Sequence, residues 1–317
     1  MGRAQRVAQR SGIGRAAKLA ALAVGVVMVT SACSAEDVIA FGWPRGVTPQ
    51  AEAMREFWLY AVIAALVVGV ITWGAMFWAI IAYRKRKGDD DSLPRQSQYN
   101  LPVEVVFTVI PIAIVLALFG MTVNVQNYVD SPGERPDLRV GITAFQWNWD
   151  FSYPDAPSQT GETIHTLGTS EEIPILVLPT NRRIEFIQQS NDVIHSFWVP
   201  EFLFKRDVFP YPEKNDQDNV WQIDRIDRPG AFVGRCAELC GTYHAFMNFE
   251  VRALEPALFD RWLQLRGQVN PATGELYTAG EALAALGCGE LCSPRAITTY
   301  PFNTDRTLRS ASLPAGS

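Results

Sequence analysis

Apolar residues are concentrated in three blocks before Asp130, whereas beyond that point apolar and polar residues alternate over short runs. The second block, 57–83, and the third, 105–129, contain no charged residue. Each is longer than the roughly 20 residues that an α-helix needs to cross the apolar core of a bilayer. The pattern therefore predicts two membrane-spanning helices.

The polar stretch between the two blocks opens with four consecutive basic residues, 84–87. Basic residues directly after a span mark its cytoplasmic side. We therefore expect a transmembrane hairpin over 56–129, with helices at 57–83 and 104–129 and a cytoplasmic loop at 84–103. The hairpin returns the chain to the outer face of the membrane.

The first block, Leu19 to Ala32, is shorter and follows a stretch rich in arginine. Such a block is typical of the apolar core of a signal peptide. Small residues directly precede Cys33, as in a bacterial lipobox, which predicts removal of residues 1–32 and lipidation of Cys33. Ordinary signal cleavage nearby is the alternative. Residues 33–55 would then form an extracytoplasmic N-terminal segment.

Beyond Asp130 the chain contains short runs rich in Val, Ile, Phe and Trp, separated by Pro, Gly, Asn and Asp. This spacing predicts the strands of an all-β sandwich over 130–255. The runs are LRVGITAFQWNWDFSY, IPILVLP, RRIEFIQQ, VWQIDRI, GAFVGRC and NFEVRAL. Apolar positions at helical spacing in 256–268 predict a helix, which opens a helical or irregular extension over 256–317.

Charge is distributed unevenly along the chain. From Asp130 to the end there are 25 acidic and 16 basic residues, a net charge of −9, against −5 for the whole chain. An acidic outer domain argues against nucleic acid as a partner and can steer a basic protein towards it. An acidic surface that only maintains solubility is the alternative.

The run CAELCGTYHAFM contains Cys236, Cys240, His244 and Met247, and His195 lies upstream. Soft Cys and Met ligands together with imidazole suit copper. A second cysteine allows two thiolates to bridge a pair of copper ions. A disulfide or a zinc site are the common alternatives for paired cysteines, but zinc would leave Met247 without a role.

These motifs make the chain resemble subunit 2 of the haem-copper cytochrome c oxidases over roughly residues 50 to 255. The matching stretches are VIHSFWVP, CAELCGTYHAFM, FQWNWDF and VEVVFTVIPI. The resemblance implies a cupredoxin-like Greek-key β-sandwich after the hairpin. It also implies a dinuclear copper centre, CuA, with these ligands: His195, Cys236, the Glu238 carbonyl, Cys240, His244 and Met247.

The resemblance implies further roles. The Glu238 side chain would bind a magnesium ion shared with subunit 1. Trp147 would be an exposed aromatic through which the electron enters, whereas we expect Trp149 to pack inside the sandwich. Glu104 would lie at the entrance of a proton path, although an acid at a helix N-terminus is stabilising in itself.

The implied function is that of a terminal respiratory oxidase subunit. The chain would accept electrons from cytochrome c, either free or part of a cytochrome bc-type complex. It would pass them to the haem-copper site of subunit 1, where O₂ is reduced to water with proton pumping. Subunits 1 and 3 and membrane lipids are the implied partners, and the implied location is multi-pass in a bacterial cell membrane with the copper domain outside. No haem ligand set can be built from His165, so the haems would lie in partner subunits.

Two other classes of protein use similar ligands. One is a membrane-anchored copper electron carrier, including the copper domain of nitrous oxide reductases, and the other is a copper-delivery assembly protein. In delivery proteins the histidine follows the cysteines, whereas His195 precedes them.

A second Cys-x3-Cys pair, Cys288 and Cys292, occurs in the extension. No His or Met follows at the spacing seen after Cys240, which argues against a second copper site. Haem attachment needs Cys-x-x-Cys-His and is excluded. We expect a local disulfide, with free thiols as the alternative, and an extension that packs against partner subunits.

Overall fold

The computed structural model of the chain describes residues 35–86, 88, 92–93, 96–169 and 172–298. The expected signal peptide and Cys33 lie outside the described residues. The chain divides into two compact units. The first combines residues up to Pro44 with Glu56–Ile112, and the second combines Arg45–Arg55 with the chain from Ala113 onwards.

Two long apolar helices confirm the predicted spans. A short helix, α1 (Ala35–Ile39), precedes α2 (Pro49–Ala82) and α3 (Leu101–Asp130). Within the described residues, α2 and α3 are the two helices long and apolar enough to cross a membrane. The expectation of a multi-pass protein was therefore too broad, and the described part of the chain has two spans.

Helix α2 begins eight residues before its uncharged block, because a start signal lies there. The Thr48 hydroxyl accepts the backbone N–H of Ala51 at 3.1 Å, and Pro49 occupies the first helical position. Ser or Thr at the cap followed by Pro is a favourable helix start. The polar turn that results lies before the apolar block and not inside it.

The predicted β-sandwich is confirmed by ten strands that form two five-stranded sheets in the described part of the chain. The first sheet has the order β3-β2-β1-β5-β8 and the second β4-β10-β9-β6-β7. The strands are β1 (Leu138–Phe145), β2 (Asn148–Tyr153), β3 (Ile164–Leu167), β4 (Ile175–Pro179), β5 (Ile184–Ser190), β6 (His195–Val199), β7 (Phe204–Val208), β8 (Val220–Ile223), β9 (Gly230–Cys236) and β10 (Asn248–Leu254).

The core between the sheets is aromatic. Trp149 is fully buried, as expected from the sequence, and its ring packs edge-on against Phe197 and Phe249. Phe186 stacks on Trp221 at a centroid distance of 4.2 Å. Buried aromatic side chains of this size dominate the energy of a core, so the sandwich gives the loops at its ends a rigid base.

The segment Arg45–Arg55 belongs to the sandwich unit although it precedes the first span. Val47 is part of the buried core. Its N–H donates to the Glu201 carbonyl at 3.0 Å, and its carbonyl accepts the N–H of Asp227 at 2.8 Å. The outer unit is therefore built from one segment that precedes the apolar spans in the sequence and another that follows them.

The C-terminal extension packs on the sandwich. It contains α4 (Pro256–Arg266), α5 (Ala279–Leu286) and a 3-10 turn (Gly289–Cys292). Phe259 and Trp262 of α4 and Leu283 of α5 join the buried core. Cys288 and Cys292 form a disulfide. The extension thus completes this unit's own core.

A buried ion pair on β10 holds the end of the extension, and we call it the latch. Glu250 and Arg252 are both fully buried and contact each other. Arg252 donates to the carbonyls of Leu291 at 2.5 Å and Ser293 at 3.2 Å. Glu250 accepts the backbone N–H of Ile297 at 2.7 Å. The hydrogen bonds fill the remaining capacity of both charged groups, as a buried pair requires.

Candidate metal centre

Strand pairing brings the upstream histidine to the cysteine loop. His195 is the first residue of β6, and Cys236 is the last residue of β9. The two strands pair with Phe197 opposite Cys236. The loop from Cys236 to Met247 then connects β9 to its antiparallel neighbour β10. The ligand candidates therefore lie at or near the ends of inner strands, at one end of the second sheet.

The side chains of this loop and His195 converge on a small volume. The sulfurs of Cys236 and Cys240 lie 3.8 Å apart. His195 Nδ1 is 3.8 Å from the Cys236 sulfur, and His244 Nδ1 is 3.5 Å from the Cys240 sulfur. Met247 Sδ is 3.8 Å from the Cys240 sulfur. Each thiol therefore has its own imidazole, and the thioether lies on one side only.

The carbonyl oxygen of Glu238 completes the group. It lies 3.2 Å from the Cys236 sulfur, while the Glu238 side chain is exposed. The ligand atoms of His195, Cys236 and Cys240 all fall within 4.8 Å of one another, and these three residues are buried. His244 is half-buried, so the cluster approaches solvent on its side.

Asp192 orients the buried histidine. Its Oδ1 lies 2.8 Å from His195 Nε2, which leaves Nδ1 directed at the Cys236 sulfur. A carboxylate on the far nitrogen of a ligating histidine fixes the ring and raises its basicity. Asp192 was not predicted from the sequence. The signal available was an acid three residues before the histidine, a spacing too common to identify it.

The two thiols affect each other's protonation. The hydrogen bond with Cys240 lowers the pKa of Cys236, burial opposes this, and His195 adds to the lowering. The pKa of Cys240 is raised by the hydrogen bond with Cys236 and by burial. One proton is thus held between the two sulfurs. A metal that needs both thiolates must release it on binding.

Burial lowers the pKa of His195, but hydrogen bonds with Cys236 and Asp192 outweigh burial and raise it. A metal at Nδ1 takes the place of a proton there, since only a neutral imidazole nitrogen can bind a metal. Both the thiol proton and the histidine proton therefore compete with metal binding at low pH.

Trp149 supports the cluster from the core side. Its indole N–H donates to the Met247 carbonyl at 3.3 Å, and its ring packs edge-on to His195 at 6.3 Å. The Met247 carbonyl also accepts the N–H of Cys236 at 3.0 Å. A buried indole thus holds the thioether end of the loop and one imidazole in place.

Trp147 lies on the outer side of the cluster. Its indole N–H donates to the Cys240 carbonyl at 3.1 Å, and its ring packs edge-on against Tyr243 at 4.9 Å. These contacts make Trp147 half-buried, whereas the sequence predicted an exposed aromatic. Its neighbour Asn148, only 2% exposed, donates to the Thr169 carbonyl.

The donor set fits a pair of copper ions. Two soft sulfurs close enough to share metals, an imidazole for each, a thioether and a carbonyl are the ligand types that copper prefers among the first-row metals. Zinc would be satisfied by two thiolates and two imidazoles, which would leave the directed thioether of Met247 unused. The cysteines are free and not joined to each other.

Two family models match the chain. Cytochrome C oxidase subunit II, transmembrane domain, matches residues 37–123, and cytochrome C oxidase subunit II, periplasmic domain, matches residues 138–254. A relative from Nocardia farcinica, "Probable cytochrome c oxidase subunit 2", is 44% identical over 99% of this chain and 93% of its own length. The chain belongs to the cytochrome c oxidase subunit 2 family.

Other subunit 2 relatives agree. The cytochrome c oxidase subunit 2 of Mycobacterium tuberculosis (strain H37Rv) is 44% identical over 92% of this chain and 88% of its own length. That of Corynebacterium diphtheriae is 40% identical over 86% of both chains. The main role is therefore that of subunit 2 of a terminal oxidase, in a membrane protein with an extracytoplasmic domain. The relatives do not favour a copper-delivery protein or a stand-alone carrier.

Two other residues considered from the sequence, Glu104 and His165, lie outside this cluster. The Glu104 carboxylate accepts the N–H of Asn100 at 2.9 Å, at the start of α3. This contact caps the start of α3, and it accompanies the alternative that the sequence left open, a negative charge at a helix N-terminus. His165 lies on β3, exposed, and contacts Asp150 at 2.8 Å.

Proposed function

We propose that this chain accepts electrons from cytochrome c at a dinuclear copper centre and passes them to the catalytic subunit of the oxidase. The observation that carries the proposal is the pair of thiols, 3.8 Å apart, each with an imidazole nitrogen within 3.8 Å. When bound, the copper supplies a one-electron redox couple. The residues that would hold it are His195, Cys236, Glu238 through its carbonyl, Cys240, His244 and Met247.

The protein's contribution is to hold these ligands rigidly. His195 and Cys236 are fixed by strand pairing. Met247 is held by the hydrogen bond that the Trp149 indole donates to its carbonyl. Ligands on strand ends with their own hydrogen-bonded supports keep their geometry better than ligands on free loops. Burial of both sulfurs excludes water and limits rearrangement when the charge of the centre changes. Both features favour fast electron transfer.

The decisive experiment is metal analysis with electron paramagnetic resonance on the purified full-length chain. The full chain is required because Val47, before the first span, is part of the sandwich core. We expect two coppers per chain and an unpaired electron shared by both nuclei. A single copper, with the hyperfine pattern of one nucleus, would exclude the dinuclear centre, and bound zinc would exclude copper.

Trp147 is the residue through which the electron enters. Its indole is half-buried and hydrogen-bonded to the peptide of Cys240, and the outer domain is acidic, which favours a basic donor. We expect Trp147→Ala to slow electron transfer from reduced cytochrome c by orders of magnitude with an unchanged copper spectrum. The matched variant, Trp149→Ala, should instead lower stability by about 3–5 kcal/mol. Equal and small kinetic effects of both would contradict this role.

Glu238 serves two ions through two groups. Its carbonyl faces the Cys236 sulfur, and its exposed carboxylate is available to a magnesium ion shared with subunit 1. Mg²⁺ is bound through carboxylates and retained waters. Glu238→Gln should leave the copper bands nearly unchanged, while magnesium binding is weakened and transfer to the haem is slowed. Glu213→Gln, the same change on an exposed loop, is the control. Normal magnesium content in Glu238→Gln would mean that Glu238 contributes only its carbonyl.

Glu104 lies at the cytoplasmic mouth of a proton path into subunit 1, in addition to capping α3. Support comes from the family match and from its exposed carboxylate at the helix start. Glu104→Gln should retain much of the cap through its amide oxygen but slow proton uptake during turnover. Proton uptake at the wild-type rate would leave the cap as its sole role.

The chain is processed and anchored at its N-terminus. Residues 1–32 are removed as a signal peptide and Cys33 carries acyl chains, followed by an outer segment to residue 55, a membrane hairpin over 56–129, the copper domain over 130–255 and the extension. Mass measurement of the mature chain tests this processing. An unmodified Cys33 would remove lipidation and leave the two spans unaffected.

A further inference from the structure

Gln146, the residue before Trp147, has hydrogen bonds to the thiol loop and to the carboxylate of Asp192 behind His195. Its side-chain Nε2 donates to the Cys240 carbonyl at 2.7 Å. Its backbone N–H donates to Asp192 Oδ2 at 2.6 Å, and the other oxygen of Asp192 contacts His195 Nε2. One residue therefore connects the thiol loop to the carboxylate that orients the buried histidine.

The Cys240 carbonyl accepts two donors from neighbouring residues. They are Gln146 Nε2 and the Trp147 indole N–H, at 2.7 and 3.1 Å. A carbonyl oxygen has two lone pairs, so this acceptor is fully used. The indole is thereby fixed against the peptide of a thiol ligand. Without the Gln146 donor, only the longer of the two bonds would hold the carbonyl to this loop.

The neighbouring backbone is shaped to permit this approach. Gly241 has φ +119°, and a Cβ at this position would lie 3.2 Å from both Gln146 Nε2 and Trp147 Cζ2. Such a distance is tighter than ordinary packing, and the positive φ itself disfavours any other residue. The thiol loop therefore leaves space for the amide and the indole together.

The position of the Gln146 side chain separates this contact from core packing. The residue is exposed, so its side chain contributes little buried apolar area. Removing this single, part-buried hydrogen bond should cost the fold much less than removing a core side chain. The contact therefore matters for where the indole and the Cys240 peptide lie relative to each other.

We propose that Gln146 is a positioning residue for electron entrance, which holds the Trp147 indole on the Cys240 peptide so that one hydrogen bond joins the aromatic ring to a metal ligand. The proposal rests on the proposed role of Trp147. Gln146 is not one of the residues that would hold the metal, and it acts through Trp147 and Cys240. A residue that only stabilised the loop would change stability and leave the transfer rate unchanged.

The test uses the purified oxidase with Gln146→Leu, which removes the amide without adding charge. Gln217→Leu is the matched control, because Gln217 is also exposed and its Nε2 also donates to a loop carbonyl, that of Asn215 at 3.1 Å. We expect Gln146→Leu to retain two coppers and the paramagnetic spectrum. The limiting rate of transfer from reduced cytochrome c should fall about fivefold, the factor for a net hydrogen bond of about 1 kcal/mol, at unchanged KM. The control should match wild type.

A double variant tests whether Gln146 acts through the indole. Trp147→Phe keeps an aromatic ring and lacks the N–H donor. If the proposal holds, adding Gln146→Leu to Trp147→Phe should slow transfer by much less than fivefold, since interacting residues are not additive. A full and independent fivefold loss would overturn it, as would loss of copper in Gln146→Leu or a rate equal to that of the control. In those cases wild type still transfers electrons, whereas failure of the proposed function would show in wild type itself.

Discussion

The chain contains the same cysteine spacing twice, and the two pairs have different fates. Cys236 and Cys240 are free, with their sulfurs 3.8 Å apart. Cys288 and Cys292 are joined in a disulfide. Even the intervening residues are similar, Ala-Glu-Leu in the first pair and Gly-Glu-Leu in the second. Spacing alone therefore does not decide what a cysteine pair does.

The surroundings of each pair account for the difference. The first pair is at the end of β9, with an imidazole beside each sulfur and the thioether of Met247 in contact. The second pair is in a 3-10 turn, where the backbone around it is held by the latch arginine, Arg252, through two carbonyls. Imidazole and thioether groups surround the first pair, whereas hydrogen bonds to a buried ion pair hold the second.

The largest expected effect comes from exchanging cysteine for serine in each pair. Cys236→Ser and Cys240→Ser should each abolish the dinuclear centre, because a hydroxyl is a poor replacement for a bridging thiolate. Cys288→Ser/Cys292→Ser should leave copper content and spectrum unchanged. Metal analysis of the purified chains measures both. Loss of copper from the second variant would mean that the two regions are not independent.

The next effect concerns the latch that holds the second pair. Arg252→Met removes one partner of a buried ion pair and leaves Glu250 charged and uncompensated. Breaking such a pair costs about 3–5 kcal/mol. Denaturant unfolding followed by tryptophan fluorescence should show this loss, while Arg139→Gln, in the exposed pair with Asp155, should leave the unfolding free energy almost unchanged. Equal losses of unfolding free energy in both variants would show that the latch stabilises the fold no more than an exposed ion pair does.

A smaller effect is expected from the disulfide itself. The loop between Cys288 and Cys292 is short, with a sequence separation of four. Chain-entropy estimates for so short a loop give about 2 kcal/mol. Cys288→Ala/Cys292→Ala should lower the unfolding free energy by that amount without altering the copper spectrum. A loss as large as that of Arg252→Met would mean that the disulfide, and not the latch, holds the turn.

The smallest effect is pH-dependent and lies where the extension begins. Arg182 contacts Asp260 of α4 at 2.6 Å, and its hydrogen bond lowers the pKa of Asp260. A lowered folded-state pKa stabilises the fold above the unfolded value of about 3.9 and loses this contribution as pH falls through the folded value. Asp260 is 56% exposed, so we expect Arg182→Gln to cost less than about 1 kcal/mol at neutral pH. The difference from wild type should shrink below about pH 4, and a constant difference down to low pH would exclude the ion pair as its cause.

Much of the fold followed from local pattern. Both spans, the sandwich and the helix from Pro256 were predicted, and the run LRVGITAFQWNWDFSY proved to be two strands joined at Gln146 and Trp147. Strand β6 was seen only as the histidine motif, and β3 (IHTL) and β7 (FKRDV) were missed because each contains only two strongly apolar residues. Helix α5 was missed although its capping box, Thr278 with Glu281, is visible in the sequence.

The rest depends on contacts between distant parts of the chain. Alternation in NFEVRAL suggests that Glu250 and Arg252 face solvent, yet every residue of β10 is buried. The extension covers the outer face of that strand, which no local pattern indicates. The expectation that the extension packs on partner subunits did not anticipate this contact. The carboxylate behind His195 and the amide of Gln146 were missed for the same reason.

The contribution of Val47 to the sandwich core has a consequence for biogenesis. The outer domain is discontinuous in sequence, since one part leaves the ribosome before both membrane helices and the other after them. The domain cannot complete its core until the second helix has inserted and the following chain has been translocated. Resistance of the outer domain to protease during synthesis should therefore appear late, and correct insertion of the helices becomes a precondition for loading the metal.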